Sequence, residues 1–416
     1  MKLMTYEEAI AFIHGAYGLG EKVGLSNMQR LLAMLGAPQE RFPSVHVAGT
    51  NGKGSVCAFL HAALRKAGFT TGLYTSPFLQ RYNERMRVNG IPIPDDVLAR
   101  LTSVVAEAVE ALRLENVRPT VFEIGTAVAF LYFAEAGVDM AIVEVGLGGR
   151  LDPTNVLVPR VTAIASIGMD HTRVLGDTLE AIALEKAGIA KPGVPMVLSA
   201  QAGDGVRTVV ERRCEEVAAP VIIASPTGED VPLGLPGMHQ RYNAGVADCA
   251  LTCLRAQGFV ISQENIREGL GCARWPGRLE WILSDTPVLL DGAHNPQGTA
   301  ALADYVRGLP PKKTVLLCGI MSDKDWRPMV ETFATFADEA VATQPREPRA
   351  LNAGKLAASF EALGVSARET AHVSEGLRRA KEMAGAEGRV VVAGSLYLVG
   401  EARTALGLGG GLLEVE

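Results

Sequence analysis

At residues 44–50 a short apolar run leads into Gly49-Thr50-Asn51-Gly52-Lys53-Gly54-Ser55, and a helical pattern follows at once, with Val56, Leu60, Ala63 and Leu64 on one face. No other feature restricts the fold as strongly. A strand that turns through glycines straight into a helix is the opening of a βα unit. Its glycines let the backbone approach an anion, its successive N–H groups form a nest for one, and the helix start adds a positive dipole end. Lys53 is placed to meet terminal phosphates. Gly54 separates that lysine from Ser55, which departs from the standard nucleotide-loop spacing and makes Ser55 the weaker phosphate or metal contact. A plain glycine turn is the alternative. The order strand, loop, lysine, helix favours phosphate.

The rest of the chain continues the alternation. Residues 140–145 and 161–167 are continuous apolar runs, as expected for parallel strands covered on both faces. Further strands are expected at 71–75 and 221–224. Helices are expected at 5–14, opened by a Thr5/Glu8 capping box, and at 53–67, 95–114, 120–136 and 243–257. The 120–136 segment is apolar nearly all round and is predicted to be buried. The pattern breaks at 273–277, around Trp275-Pro276-Gly277. It resumes with strands at 288–290, 314–318, 340–343 and 389–393, and a Gly-rich tail covers 407–411. A chain of 416 residues exceeds one ordinary core. The expected class is α/β in two domains: residues 1–275 with a mostly parallel, doubly wound sheet, and residues 276–416 as a smaller α/β unit.

Composition removes several functions. A net charge of -6 argues against a general nucleic-acid binder. The six cysteines show no metal-ligand spacing and read as reduced and mostly buried. No apolar run approaches the ~20 residues needed to cross a bilayer. The N-terminus shows no basic segment followed by a long apolar core, so a cytoplasmic location is expected.

Candidate chemistry gathers at the strand ends. Glu144 closes the 140–144 run ahead of Gly146-Leu147-Gly148-Gly149-Arg150. An acid at the carboxyl end of a parallel strand points into the ligand crevice, and beside a phosphate loop it can hold Mg²⁺ directly or through water. Ser166 to His171 repeats this arrangement on the next strand, though a lone His171 is equally at home as a structural residue. Lys186, taken alone, reads as a surface lysine. Glu123 lies in the buried helix, and a buried carboxylate needs partners, so it joins the site candidates. Arg81, Arg85 and Arg87 are either a solvated cluster or a hold for an anionic substrate tail.

Taken in order, GTNGKGS (49–55), TSPFLQRYNERMRVNG (75–90), EVGLGGRLDPTN (144–155), SIGMDHTRVLG (166–176), EKAGI (185–189), GMHQRYNA (237–244), RWPGRLE (274–280), LDGAHNPQG (290–298) and GSLYLVG (394–400) resemble folylpolyglutamate synthase and dihydrofolate synthase, members of the Mur ligase superfamily. The resemblance spans nearly the whole chain. It implies an N-terminal P-loop ATPase domain and a C-terminal Rossmann-like domain with the active site between them. It also implies roles. Ser76, Glu144 and His171 match magnesium ligands, with two Mg²⁺ ions expected. Lys186 matches a lysine that is carbamylated. Asn243 and Asp291 match adenine and ribose contacts, and Arg278 an arginine that reaches the phosphates on domain closure. His294 and Ser395 match positions for the incoming glutamate. From the residues alone, His294 is a helix-start histidine and Ser395 a strand-end serine.

The reaction implied is an ATP-dependent amide ligation. ATP converts a carboxylate into an acyl phosphate, the amino group of L-glutamate attacks it, and ADP and phosphate leave. Substrates are a folate or dihydropteroate, L-glutamate and ATP, and the enzyme is expected to be a monomer. Phe78, where family members often carry His or Tyr, favours extension of the folate tail, and dihydrofolate synthesis stays open as a second activity. Another ligase of the superfamily with a non-folate acceptor is the alternative. A cell-wall ligase is not expected, because fewer than 50 residues precede Gly49. A guanine-nucleotide switch lacks its Asn-Lys-x-Asp motif.

Overall fold

The computed structural model describes residues 3–16 and 24–409, so the end of the Gly-rich tail lies outside the described residues. The first sheet has eight strands: β1 (Ser44–Ala48), β2 (Thr71–Tyr74), β3 (Met86–Val88), β4 (Ile91–Pro92), β5 (Met140–Glu144), β6 (Val161–Ile164), β7 (Met196–Ser199) and β8 (Val221–Ala224). Their order is β4-β3-β2-β5-β1-β6-β7-β8. Every pairing from β2 across to β8 is parallel, and β3 and β4 fold back as an antiparallel hairpin at one edge.

Continuous burial of β1 and β5 follows from cover on both faces. Met140 and Ile142 face helices Lys53–Lys66, Met238–Ala256 and Gln263–Cys272, while Ala141 and Val143 face helices Asp95–Leu114 and Val121–Ala136. The all-round apolar helix is indeed buried. Its Phe130 and Phe133 meet Phe42 edge-on, and truncating either to alanine would cost about 3–5 kcal/mol.

The second sheet holds β9 (Glu280–Ile282), β10 (Val288–Leu290), β11 (Thr314–Cys318), β12 (Glu339–Thr343), β13 (Ser366–Thr370) and β14 (Arg389–Ala393). The order is β13-β12-β11-β14-β10-β9, with only β9 antiparallel. Thus helix Gln263–Cys272 packs on the first sheet's cover, and Glu280 already belongs to the second sheet.

The structure differs from the expected elements at one helix start and at strands β3, β4, β7, β9 and β13. The helix expected from Asn243 starts at Met238, because the polar stretch His239-Gln240-Arg241 is helical and turns His239 and Gln240 inward. Strand β13 escaped the apolar-run criterion because it is an edge strand with exposed Ser366, Arg368 and Glu369.

Topology fixes the position of the site. β1 lies between β5 and β6, so the chain crosses over in opposite directions on its two sides. The loops after β1, β5 and β6 open onto one crevice at the strands' carboxyl ends. The loops after β10 and β11 of the second sheet meet it. Asn51 hydrogen-bonds Asn295 there, and Lys324 pairs with Asp170 at 2.6 Å.

Candidate active site

The loop after β1 has the shape its sequence predicts. Gly52 has φ 85° and is the cap of helix Lys53–Lys66. A Cβ there would lie 2.2 Å from Asn243 Oδ1, so the position demands glycine twice over. Thr50 N–H donates to Ser166 O at 2.6 Å, and the Thr50 hydroxyl donates to Gly168 O at 3.0 Å. These bonds strap the loop to the end of β6.

Two ammonium groups converge on the same carbonyl. Lys53 Nζ donates to Gly49 O at 3.1 Å and Thr50 O at 3.2 Å, and Lys186 Nζ donates to Gly49 O at 2.9 Å. Lys186 is therefore no surface residue: it is 4% exposed. Gly149 permits this approach, since a Cβ there would press on the Glu185 and Lys186 carbonyls at 2.8 and 2.9 Å. Burial first, and the Lys53 charge second, push the Lys186 amine down to about 7.

Glu144, at the end of β5, is buried. It accepts Ser76 N–H at 3.3 Å and lies 3.9 Å from Lys53 Nζ. Burial raises its pKa, with Lys53 opposing. A desolvated carboxylate with so little compensation fits a cation. His171 follows with φ 51° and starts a four-residue helix. Its neighbour Asp170 is the more engaged of the two. Burial opposes the Asp170 charge, yet Lys324, His171 and His294 hold its carboxyl well below the usual range. Among the described residues no three His, Cys, Asp or Glu side chains form a metal cage. A magnesium ion here would be completed by phosphate oxygens and water, as is usual for that ion.

Ser55 and Asn243 belong to one chain of hydrogen bonds. Asn243 Nδ2 donates to Gln240 Oε1 at 2.9 Å, and Gln240 Nε2 donates to Ser55 Oγ at 3.2 Å. The structure thus places Asn243 against the phosphate loop. Glu123 also has a local partner. It accepts Thr120 N–H at 2.7 Å in a capping box, so its burial requires no ligand.

At the end of β10 in the second sheet, Asp291 accepts Leu279 N–H and Ala293 N–H, each at 2.9 Å. Arg278 lies beside it, its guanidinium against Gly292, and its charge reaches both Asp291 and Glu144. His294 Nδ1 sits 2.8 Å from Gly292 O. Since a carbonyl only accepts, Nδ1 carries the proton. Burial first, then Lys324, hold the imidazole down to about 4, so His294 is neutral near pH 7 and its Nε2 offers a lone pair. That Nε2 lies 3.9 Å from Asp170 Oδ2. Ser395 caps helix Leu396–Ala405, accepting Leu398 N–H at 3.1 Å.

The three arginines separate. Arg81 pairs with Asp95, and Arg87 is buried beside Glu84 and under Trp275. Arg85 instead stacks on Phe78 and Tyr82, and its charge reaches Glu144. Two site residues lie outside the sequence-based candidates. Lys324 sits in an Asp-rich loop that reads as solvent-exposed, and only its place after β11 could have signalled it. Asn295 lies inside a motif but looks like an ordinary helix cap.

A family model described as "Mur ligase, glutamate ligase domain" matches residues 277–396. Along the full length, the chain is 39% identical to the "Dihydrofolate synthase/folylpolyglutamate synthase" of Bacillus subtilis, covering 97% of this chain and 99% of the relative. The chain belongs to the folylpolyglutamate synthase/dihydrofolate synthase family. Members of this family are ATP-dependent ligases that join glutamate to folates. Among solved structures, the Mycobacterium tuberculosis folylpolyglutamate synthase complexed with ADP superposes with TM-score 0.90 at 28% identity, covering 97% of this chain and 99% of that one. A bifunctional Yersinia pestis family enzyme complexed with AMPPNP and manganese gives 0.86 at 29% identity, covering 97% and 98%. The two-sheet α/β architecture is thus the architecture of this family.

Proposed function

We propose that this chain adds L-glutamate to the tail of a reduced folate, and that the same site accepts dihydropteroate. The observation that carries this reading is the convergence of Lys53, Lys186 and an under-compensated Glu144 on one loop, faced across the cleft by Arg278, His294 and Lys324. Residues 1–275 hold ATP, and residues 276–416 bring in glutamate.

ATP lies with its phosphates on the 49–55 nest, where Lys53 and Arg278 neutralise the γ-phosphate as the folate carboxylate attacks it. Ser76, Glu144 and His171 would hold Mg²⁺, with phosphate oxygens and water completing two sites. The ion supplies charge neutralisation on the phosphate oxygens. Lys186, with its amine near neutrality at pH 7, meets the requirement for carbamylation, and the resulting anion would relieve its repulsion with Lys53. Asp291 and Asn243 support the nucleotide side of the cleft.

His294 Nε2 and Asp170 Oδ2 form two acceptors that suit the amino group of glutamate. Lys324 and Ser395 lie on the side that receives its carboxylates. Holding the amine beside the acyl phosphate supplies much of the catalysis. Arg85, over Phe78 and Tyr82, offers a cation and an aromatic wall to the folate's own acidic tail. Glu123 stiffens the wall behind it. The cytoplasm and a monomeric state complete the proposal.

The test is glutamate-dependent ADP release from MgATP with tetrahydrofolate and dihydropteroate supplied separately. Release with both supports the proposal. Release with neither overturns the folate assignment and leaves a ligase with a different acceptor.

A further inference from the structure

Asn295 is 2% exposed, and every hydrogen-bonding position of its side chain is used. Its Nδ2 donates to Asn51 Oδ1 at 2.9 Å and to Asp170 Oδ2 at 3.1 Å. Its Oδ1 accepts Gly298 N–H at 2.8 Å and Asn51 Nδ2 at 3.2 Å. The first pair of bonds crosses the cleft, and the Gly298 bond caps helix Pro296–Arg307. Asn51 has a second tie to the same helix, donating to Gln297 Oε1 at 2.9 Å. The Asn51 backbone is itself pinned by β6, since its carbonyl accepts the Ser166 hydroxyl at 3.1 Å. The side chain of the phosphate loop is therefore held by the residue next to His294.

We propose that Asn295 is a positioning residue that locks the second domain onto the phosphate loop and so aligns the glutamate side of the cleft before acyl transfer. This rests on the ligase reading above. An acyl phosphate has two fates. The glutamate amine attacks the acyl carbon, the bond to the bridging oxygen breaks, and phosphate leaves as the amine gives up a proton and the amide forms. Alternatively water attacks the same carbon, the same bond breaks, and carboxylate, phosphate and a proton result. The reciprocal Asn51–Asn295 pair excludes water and holds the amine in register, so the first fate prevails.

Asn295→Asp separates this role from the helix cap. A carboxylate still accepts Gly298 N–H and is favoured at a helix start, but it cannot donate to Asn51 or Asp170. Phosphate and glutamylated product are measured together in the full chain with MgATP, glutamate and tetrahydrofolate. Wild type should give one phosphate per amide. Asn295→Asp should raise that ratio severalfold, raise the glutamate KM, and lower amide formation on the order of tenfold, with ATP KM nearly unchanged. Asn51→Ala, which leaves the cap intact, should raise the ratio too. The double variant should be no worse than the poorer single one, because the two side chains share the lost contact. If Asn295→Asp does not fold, Asn51→Ala alone decides the matter. A ratio that stays at one in the variants, with rates merely lower, overturns the positioning role. A wild type with no glutamate-dependent phosphate release overturns the ligase reading, and the positioning role with it.

Discussion

Glu144 and Asp291 hold the same place in two different sheets, yet they are bonded very differently. Each is an acid at the carboxyl end of a parallel strand, and each is buried. Asp291 accepts two backbone N–H groups at 2.9 Å, one per oxygen. Glu144 has one long bond from Ser76 at 3.3 Å, a lysine at 3.9 Å and, farther off, the charges of Arg278 and Arg85, and burial raises the pKa of both acids. Strand-end position therefore makes a residue available to the crevice, but the remaining partners decide its role. Asp291 has both oxygens bonded to backbone around its own strand, which stiffens the loop that carries His294. Glu144 is left short of compensation, which suits a residue that meets a cation.

The sharpest way to break this contrast is to remove each charge. Glu144→Gln should lower MgATP-dependent turnover by about 10²–10³-fold while leaving thermal stability equal or higher, since it relieves a poorly paired buried anion. Asp291→Asn should do the reverse on stability. Its amide would set an N–H against Leu279 N–H or Ala293 N–H, at a cost of about 1–3 kcal/mol, read from denaturant melts.

Lys186→Ala tests the second ammonium group held on the loop's Gly49 carbonyl. Turnover should fall by roughly 10²-fold. In the wild type, activity should rise with added bicarbonate and as pH climbs through about 7, where the amine becomes neutral. A flat response to bicarbonate would remove the carbamate from the account.

Gly52→Ala should weaken ATP binding and cost roughly 1–3 kcal/mol, through positive φ and the clash with Asn243. Titration calorimetry and melting measure the two parts.

The smallest effect concerns His46. It is fully buried in β1, and its Nε2 meets Thr154 Oγ1 at 2.8 Å. Burial lowers its pKa from 6.5 to about 3. Between those values only the unfolded chain binds the proton, so stability falls as pH drops across that window. His46→Asn should make the acid limb shallower by one proton in unfolding midpoints measured from pH 7 to 4.

Much of this was legible beforehand. The alternation of strands and helices gave the α/β class, and the order of strand, glycines and Lys53 located the crevice, because local patterns are enough for both. Lys186 was not legible from its helix, since its burial comes from Gly149 and the loop after β5. Lys324 and Asn295 were hidden for the same reason: their partners, Asp170 and Asn51, follow strands of the other sheet. Glu123 is the opposite case, a buried acid with a local partner, the N–H of Thr120 three residues away.

The most direct test of the account is MgATP binding and thermal unfolding of Glu144→Gln and Asp291→Asn, measured side by side against wild type. Glu144→Gln should lose the metal dependence of nucleotide binding and keep its melting temperature, while Asp291→Asn should melt lower and still bind nucleotide in a metal-dependent way. Metal dependence that survives in Glu144→Gln, together with a lowered melting temperature, would contradict it.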